Sequence, residues 1–150
     1  RCRFPNATFI CQKAELEYAR DPDIPSMVRE YPLDQIAPDQ LDYQPIEGDH
    51  DLFGDGTMQL LSTPGHTPGH QSLLLQLADT GPVLLSGDAC WTQWSRDEMT
   101  LPGIIWFPSE YVKSRRRILD LQEREDARWF FTHDPHTFDE LGWVEGQRYS

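Results

Sequence analysis

With 150 residues, 38% of them hydrophobic, the chain is about one domain long and can bury a core of its own. Its net charge of −12 argues against nucleic acid or an anionic membrane surface as a partner, since either would repel it. No apolar run nears the roughly 20 residues that span a bilayer, and Arg1 to Ile10 lacks the apolar core of a signal peptide. The chain has no initiator Met and starts in mid-pattern, so residues 1–150 are expected to be one domain that is itself a fragment. Cys2, Cys11 and Cys90 are odd in number and form no C-x-x-C pair, which fits free thiols in the reducing cytoplasm. The Asn6-Ala7-Thr8 sequon lacks a secretory context and carries no weight.

Thr8 to Cys11 reads as a short strand. Gln12 to Arg20 reads as a helix with an apolar stripe at Ala14, Leu16, Tyr18 and Ala19, stopping before Pro22. Asp21 to Asp42 holds four prolines and is expected to be an irregular excursion with a short helix near Ser26 to Tyr31. Tyr43 to Glu47 suits a strand, and the acidic, glycine-rich Gly48 to Gly56 a turn with His50 at the surface. Thr57 to Ser62, Gln71 to Leu77 and Pro82 to Ser86 follow as an antiparallel run. Their nearly continuous apolar character predicts a sheet covered on both faces. Trp91 to Phe107 is aromatic and irregular. Ser109 to Asp126 is the one long helix, with Ser109 as N-cap and Tyr111, Val112, Ile118, Leu119 and Leu121 inward. The Arg115-Arg116-Arg117 run is expected on its solvated side. Arg128 to Thr132 closes the strand set, and Pro135 to Ser150 is expected to pack as loop.

The chemistry gathers around Thr63-Pro64-Gly65-His66-Thr67-Pro68-Gly69-His70. Two prolines fix φ and two glycines permit backbone angles that other residues avoid, so a stiff loop between strands presents two imidazoles. A proline-glycine turn with incidental histidines is the plain alternative. His66, Asp88 and His133 each follow an apolar strand, and strand-end residues can converge at one edge of a sheet. Two imidazoles and a carboxylate suit zinc or another first-row metal. Gly87 before Asp88 admits close approach. Taken singly, a strand-end Asp is a turn residue and a His after Phe-Phe-Thr is structural.

The run T-P-G-H-T-P-G-H-Q-S-L-L-L, followed by Ser86-Gly87-Asp88-Ala89 and Thr132-His133-Asp134, resembles the metallo-β-lactamase superfamily, and within it the N-acyl-homoserine lactone lactonases. The resemblance runs from about Thr8 to Asp134. It implies an α/β fold, the C-terminal portion of an αββα sandwich. It implies that His66, Asp88 and His133 are ligands of two divalent metal ions, zinc or else iron, manganese or cobalt, with Asp88 bridging. His70 and Asp134 would stand behind the ligands. The implied activity is metal-dependent opening of a small-molecule lactone, with association of two copies compatible with it. Two departures accompany it. The family's His-x-His-x-Asp-His motif is absent, so this chain alone is expected to be inactive. Trp91 stands where these lactonases carry a tyrosine near the substrate carbonyl; indole Nε1–H donates a hydrogen bond but does not titrate usefully. Trp91, Trp94, Trp106 and Phe107 offer an apolar wall for an acyl chain, or simply core. The rival readings are a thioesterase or phosphotriesterase on the same fold, and a non-catalytic fragment.

Overall fold

The computed structural model of the chain describes residues 6–23 and 41–140. Strand β1 (Thr8–Gln12) pairs in parallel with β2 (Asp42–Ile46), and helix α1 (Lys13–Arg20) follows β1 directly. Glu15 in the first turn of α1 and Arg20 in its last suit the helix dipole. Leu16 and Ala19, three residues apart, are its buried side; Ala14, expected inward, is exposed. The helix ends at Asp21, whose extended backbone is what a following proline requires. The helix expected near Ser26 to Tyr31 lies outside the described residues.

The second sheet holds β3 (His50–Asp51), β4 (Met58–Ser62), β5 (Gln71–Leu77), β6 (Gly81–Leu85) and β7 (Arg128–Phe130), in that spatial order. Neighbours are antiparallel from β3 to β6, and β7 joins β6 in parallel. His50, expected in a turn, therefore sits in an edge strand. A parallel pair needs a long crossover, here α2 (Gln93–Asp97) and α3 (Pro108–Glu125). The expectation of irregular chain from Trp91 to Phe107 missed α2, whose capping box joins Thr92 and Ser95. Helix α4 (Pro135–Glu140) corrects the loop expected from Pro135.

Register decides the two faces of this sheet. Leu74, Leu84 and Trp129 are cross-strand neighbours, and with Leu61 they pack under Ile118 of α3, beside Ala89, Cys90, Ala127 and Phe131. Leu84 and Ile118 are fully buried, each worth about 1.5–3 kcal/mol. On the other face Leu60, Leu73 and Leu85 align across three strands, as do Met58, Leu75 and Val83, and all six are only half-buried. Among the described residues the sheet is thus fully covered on one face, not on both.

Helix α3 departs from expectation twice. Its N-cap is Phe107 with Pro108 at the first position, where a missing N–H costs nothing, so Ser109 lies inside the helix. Arg115 is not solvated: it is 0% exposed, and its guanidinium donates to the carbonyls of Ser95 and Thr100. Ser95 and Thr100 belong to the segment laid over this side of α3, which no periodicity in α3 itself announces. Arg116 and Arg117 are exposed as expected.

Candidate metal centre

The loop Thr63–His70 between β4 and β5 is pressed between two helices. Gly65 has φ +138°, and a Cβ there would stand 2.3 Å from the backbone of Tyr111 in α3. A Cβ on Gly69 would stand 2.3 Å from the backbone N of Glu15 in α1. The loop closes on itself through Thr63 N–H to His70 O (2.9 Å) and Gly65 N–H to Thr67 O (3.0 Å). It is tied to the segment before α3 through Trp106 N–H to His66 O and Phe107 N–H to Gly65 O, both 3.0 Å. The stiff loop read from the sequence is present, and what stiffens it is packing from both sides.

His66 is 7% exposed. Its Nδ1 lies 3.0 Å from Ile104 O, a carbonyl that only accepts, so Nδ1 carries the proton. Nε2 then faces Asp88 Oδ2 at 3.1 Å. On the other side of the same carboxylate, Oδ1 lies 2.8 Å from His133 Nε2. Asp88 comes from a single 3-10 turn, Gly87–Ala89, at the end of β6, and His133 follows β7. The three strand-end residues do meet. They form two pairs sharing Asp88, and no group of three or more His, Cys, Asp or Glu among the described residues surrounds one ion position. The two imidazoles hold the Asp88 carboxyl down to about 2, the hydrogen bond from His66 contributing most.

His70 stands behind Asp88. Its Nε2 accepts the Asp88 backbone N–H at 2.9 Å, and its Nδ1 lies 2.8 Å from Thr63 Oγ1. Burial lowers its pKa to about 4, and a neutral ring is what an accepting Nε2 requires. The glycine before Asp88 is needed here: Gly87 has φ +54°, and a Cβ would stand 2.9 Å from His70 Nε2. Asp134 is buried, and its carboxylate accepts from the backbone N–H of Gln93 (2.9 Å) and His136 (3.1 Å). It thereby joins the start of α2 to the start of α4.

Trp91 stacks at 4.7 Å, tilted 36°, on the His133 ring, and its carbonyl accepts the His133 N–H at 3.2 Å. Its Nε1 is buried and has no partner among the described residues. With Trp94, Leu101, Pro102 and Tyr111 it walls a cavity of about 210 Å³. Trp106 and Phe107 are half-exposed and touch each other, not this cavity. A second cavity, of about 220 Å³, is bounded by Cys11, Glu15, His66, His70, Gln71 and Asp88. Sequence reasoning missed Glu15, whose Oε2 accepts from Thr67 Oγ1 (2.6 Å) and Gly69 N (2.8 Å). Glu15 lies 54 residues before Gly69 on another element, and no local pattern marks it.

The donor set fits a divalent cation. With Nδ1 protonated, His66 Nε2 either donates to the carboxylate oxygen, when the ring carries a second proton, or offers it a lone pair that a cation can take. Two acceptors 3.1 Å apart need a proton or a cation between them. Neutral imidazole and carboxylate are zinc's usual partners among nitrogen and oxygen ligands.

No family model matches the chain. It is 39% identical over 137 residues to an N-acyl homoserine lactonase, AttM, of Rhizobium radiobacter, a match covering 89% of this chain and 52% of that protein. The chain spans about half the length of the curated relatives it matches. In three dimensions it is similar to an N-acyl homoserine lactone hydrolase with the product N-hexanoyl-L-homoserine bound at its catalytic metal centre. That match has a TM-score of 0.79 at 33% identity and covers 98% of this chain and 54% of that one. A metallo-β-lactamase-like protein of Thermotoga maritima matches in fold alone, with a TM-score of 0.59 at 21% identity over 87% of this chain and 58% of that one.

Proposed function

We propose, for a chain that has the metallo-β-lactamase fold and is N-acyl-homoserine-lactonase-like in sequence, that the intact protein opens the ring of N-acyl homoserine lactones by metal-dependent hydrolysis. The observation that carries the reading is Asp88, with one carboxylate oxygen on each of two imidazole nitrogens, in the fold whose product-bound relative does this chemistry. His66 and Asp88 would hold one divalent ion, Asp88 and His133 a second. Zinc is our choice for both, from the imidazole and carboxylate donors. When bound, such ions supply a water acidic near neutrality and polarise the lactone carbonyl.

This chain's own residues do the rest. Asp88 presents both oxygens because His70 holds its backbone N–H and the two imidazoles fix its carboxyl group. Its low pKa keeps it ionised at any working pH. Asp134 fixes the backbone after His133 through His136 N–H, a positioning role. Trp91, stacked on the His133 ring, steadies that ligand and walls the apolar cavity beside it.

Two donors for each ion fall short of the three that catalytic zinc sites usually keep. We therefore read residues 1–150 as the C-terminal portion of a larger domain, inactive alone. The half-covered leucine face and the relatives' greater length support this. The free thiols of Cys11 and Cys90 suit a cytoplasmic protein.

The test is the intact protein, zinc-loaded, assayed on N-hexanoyl homoserine lactone, a thioester and a phosphotriester. The reading expects lactone opening that a chelator abolishes and Asp88→Ala removes. His70→Ala, behind the ligand, should cost only about 10–100-fold. Thioester or phosphotriester turnover without lactone opening would replace the substrate class, and chelator-insensitive opening would end the metal reading.

A further inference from the structure

We infer that Glu15 is a positioning residue for the His66 end of the metal centre, acting through the loop it holds. The inference rests on the metal-dependent reading above. Glu15 lies in the first turn of α1, far in sequence from every residue of the centre. One oxygen of its carboxylate, Oε2, accepts from Thr67 Oγ1 at 2.6 Å and from Gly69 N–H at 2.8 Å. Thr67 directly follows His66, and Gly69 directly precedes His70. A single oxygen thus grips the loop between its two imidazoles with two charge-assisted bonds, the strong class of hydrogen bond.

The grip is rigid because α1 touches the loop backbone to backbone. Only a residue without Cβ allows Gly69 to sit where it does against Glu15. From the opposite side His66 is held by Trp106 N–H on its carbonyl and by Ile104 O on its Nδ1. Ser114 Oγ adds a 2.6 Å bond to Pro64 O. On the Thr67–Gly69 side Glu15 supplies the hold from outside the loop, beside the loop's own bonds from Gly65 N–H and His70 N–H to Thr67 O. The direction of His66 Nε2 towards Asp88 therefore depends on α1 as well as on the segment before α3.

Glu15 also borders the cavity that holds His66, His70 and Asp88, and its second oxygen, Oε1, is buried with no partner among the described residues. A carboxylate buried with one oxygen unpaired is costly for a residue that serves stability alone. Ligand orientation is a use that repays it, since metal sites lose affinity when the groups holding their ligands are removed.

The experiment uses the intact protein and Co²⁺ as the probe, read by its absorption bands, together with kcat and KM for the lactone. Glu15→Ala should lower Co²⁺ affinity about 10–100-fold, with kcat falling and KM nearly unchanged. Glu15→Gln keeps an acceptor oxygen for both loop donors and should restore affinity close to wild type. Thr67→Val removes one donor without touching Glu15 and should shift affinity in the same direction by less, which keeps the test available if Glu15→Ala does not fold. A merely structural Glu15 would lower the unfolding midpoint and leave the Co²⁺ affinity and spectrum of the folded protein unchanged; that result overturns the inference. So does a Glu15→Gln variant as impaired as Glu15→Ala. Wild-type protein that binds no Co²⁺ ends both this inference and the metal reading. Wild type that binds Co²⁺ but opens no lactone ends the substrate reading alone, and the affinities still decide Glu15.

Discussion

Replacing Gly69 by Ala tests the claim that the histidine loop is held by helix backbone. A Cβ at this position would lie 2.3 Å from the backbone N of Glu15, 2.5 Å from its Cβ and 2.7 Å from its Cα. Carbon atoms in good contact sit about 3.5–4.0 Å apart, so α1 and the loop must separate by roughly 1 Å. No flexible side-chain tip is there to yield. Overpacking of this kind costs about 1–3 kcal/mol. The same separation stretches the 2.8 Å bond from Gly69 N–H to the Glu15 carboxylate, a charged hydrogen bond worth about 1.5–3 kcal/mol. Together they give an expected loss of about 3–5 kcal/mol. Urea unfolding of the intact protein measures it, with Gly103→Ala as control. Gly103 has open space around the added carbon and no left-handed φ, so that change should stay within about 1 kcal/mol. A Gly69→Ala protein as stable as the control would refute the reasoning, because α1 would then not press on the loop.

Three further outcomes follow from the same geometry. Arg115→Ala should destabilise the intact protein by about 3–5 kcal/mol, since it strands two partly buried carbonyls and leaves a void, whereas exposed Arg116→Ala should stay within about 0.5 kcal/mol; equal effects in denaturant unfolding would contradict the burial of Arg115. Trp91→Tyr should match or exceed wild-type kcat/KM on the lactone, because a phenol keeps an aromatic ring against His133 and can donate to a carbonyl; a marked loss would show that the indole does something a phenol does not. In the metal-free intact protein His70 titrates near 4 when folded, against about 6.5 unfolded. The unfolded chain therefore binds more protons between those values, so the His70 contribution is full above pH 6.5 and lost as pH falls through 4. The stability gap between wild type and His70→Gln should narrow by about 3 kcal/mol from pH 7 to pH 4; a constant gap would refute the buried neutral ring.

The sequence by itself determined what depends on neighbours along the chain. The alternation of apolar runs with Gly and Pro placed β4, β5 and β6 within a residue of where they lie. The strand-end positions of His66, Asp88 and His133 marked the residues that meet, because the ends of adjacent strands in one sheet are close in space. Gly87 read as a close-approach residue from its place before Asp88, and the approach proved to be that of His70. Only the tertiary structure decided what depends on elements far apart in sequence. Arg115 reads as surface from its charged neighbours and is buried because Ser95 and Thr100 turn their carbonyls onto it. Ser109 reads as a cap, but Pro108 takes the first helical position and moves the cap to Phe107. The sheet reads as covered twice, yet among the described residues only the Leu74–Leu84 face meets a helix. Glu15 shows the limit most plainly: a glutamate in an amphipathic helix is indistinguishable from a solvated one until the fold sets Thr67 and Gly69 against it. Periodicity records which side of an element is apolar, while the partner that a polar group meets is fixed by packing across the chain.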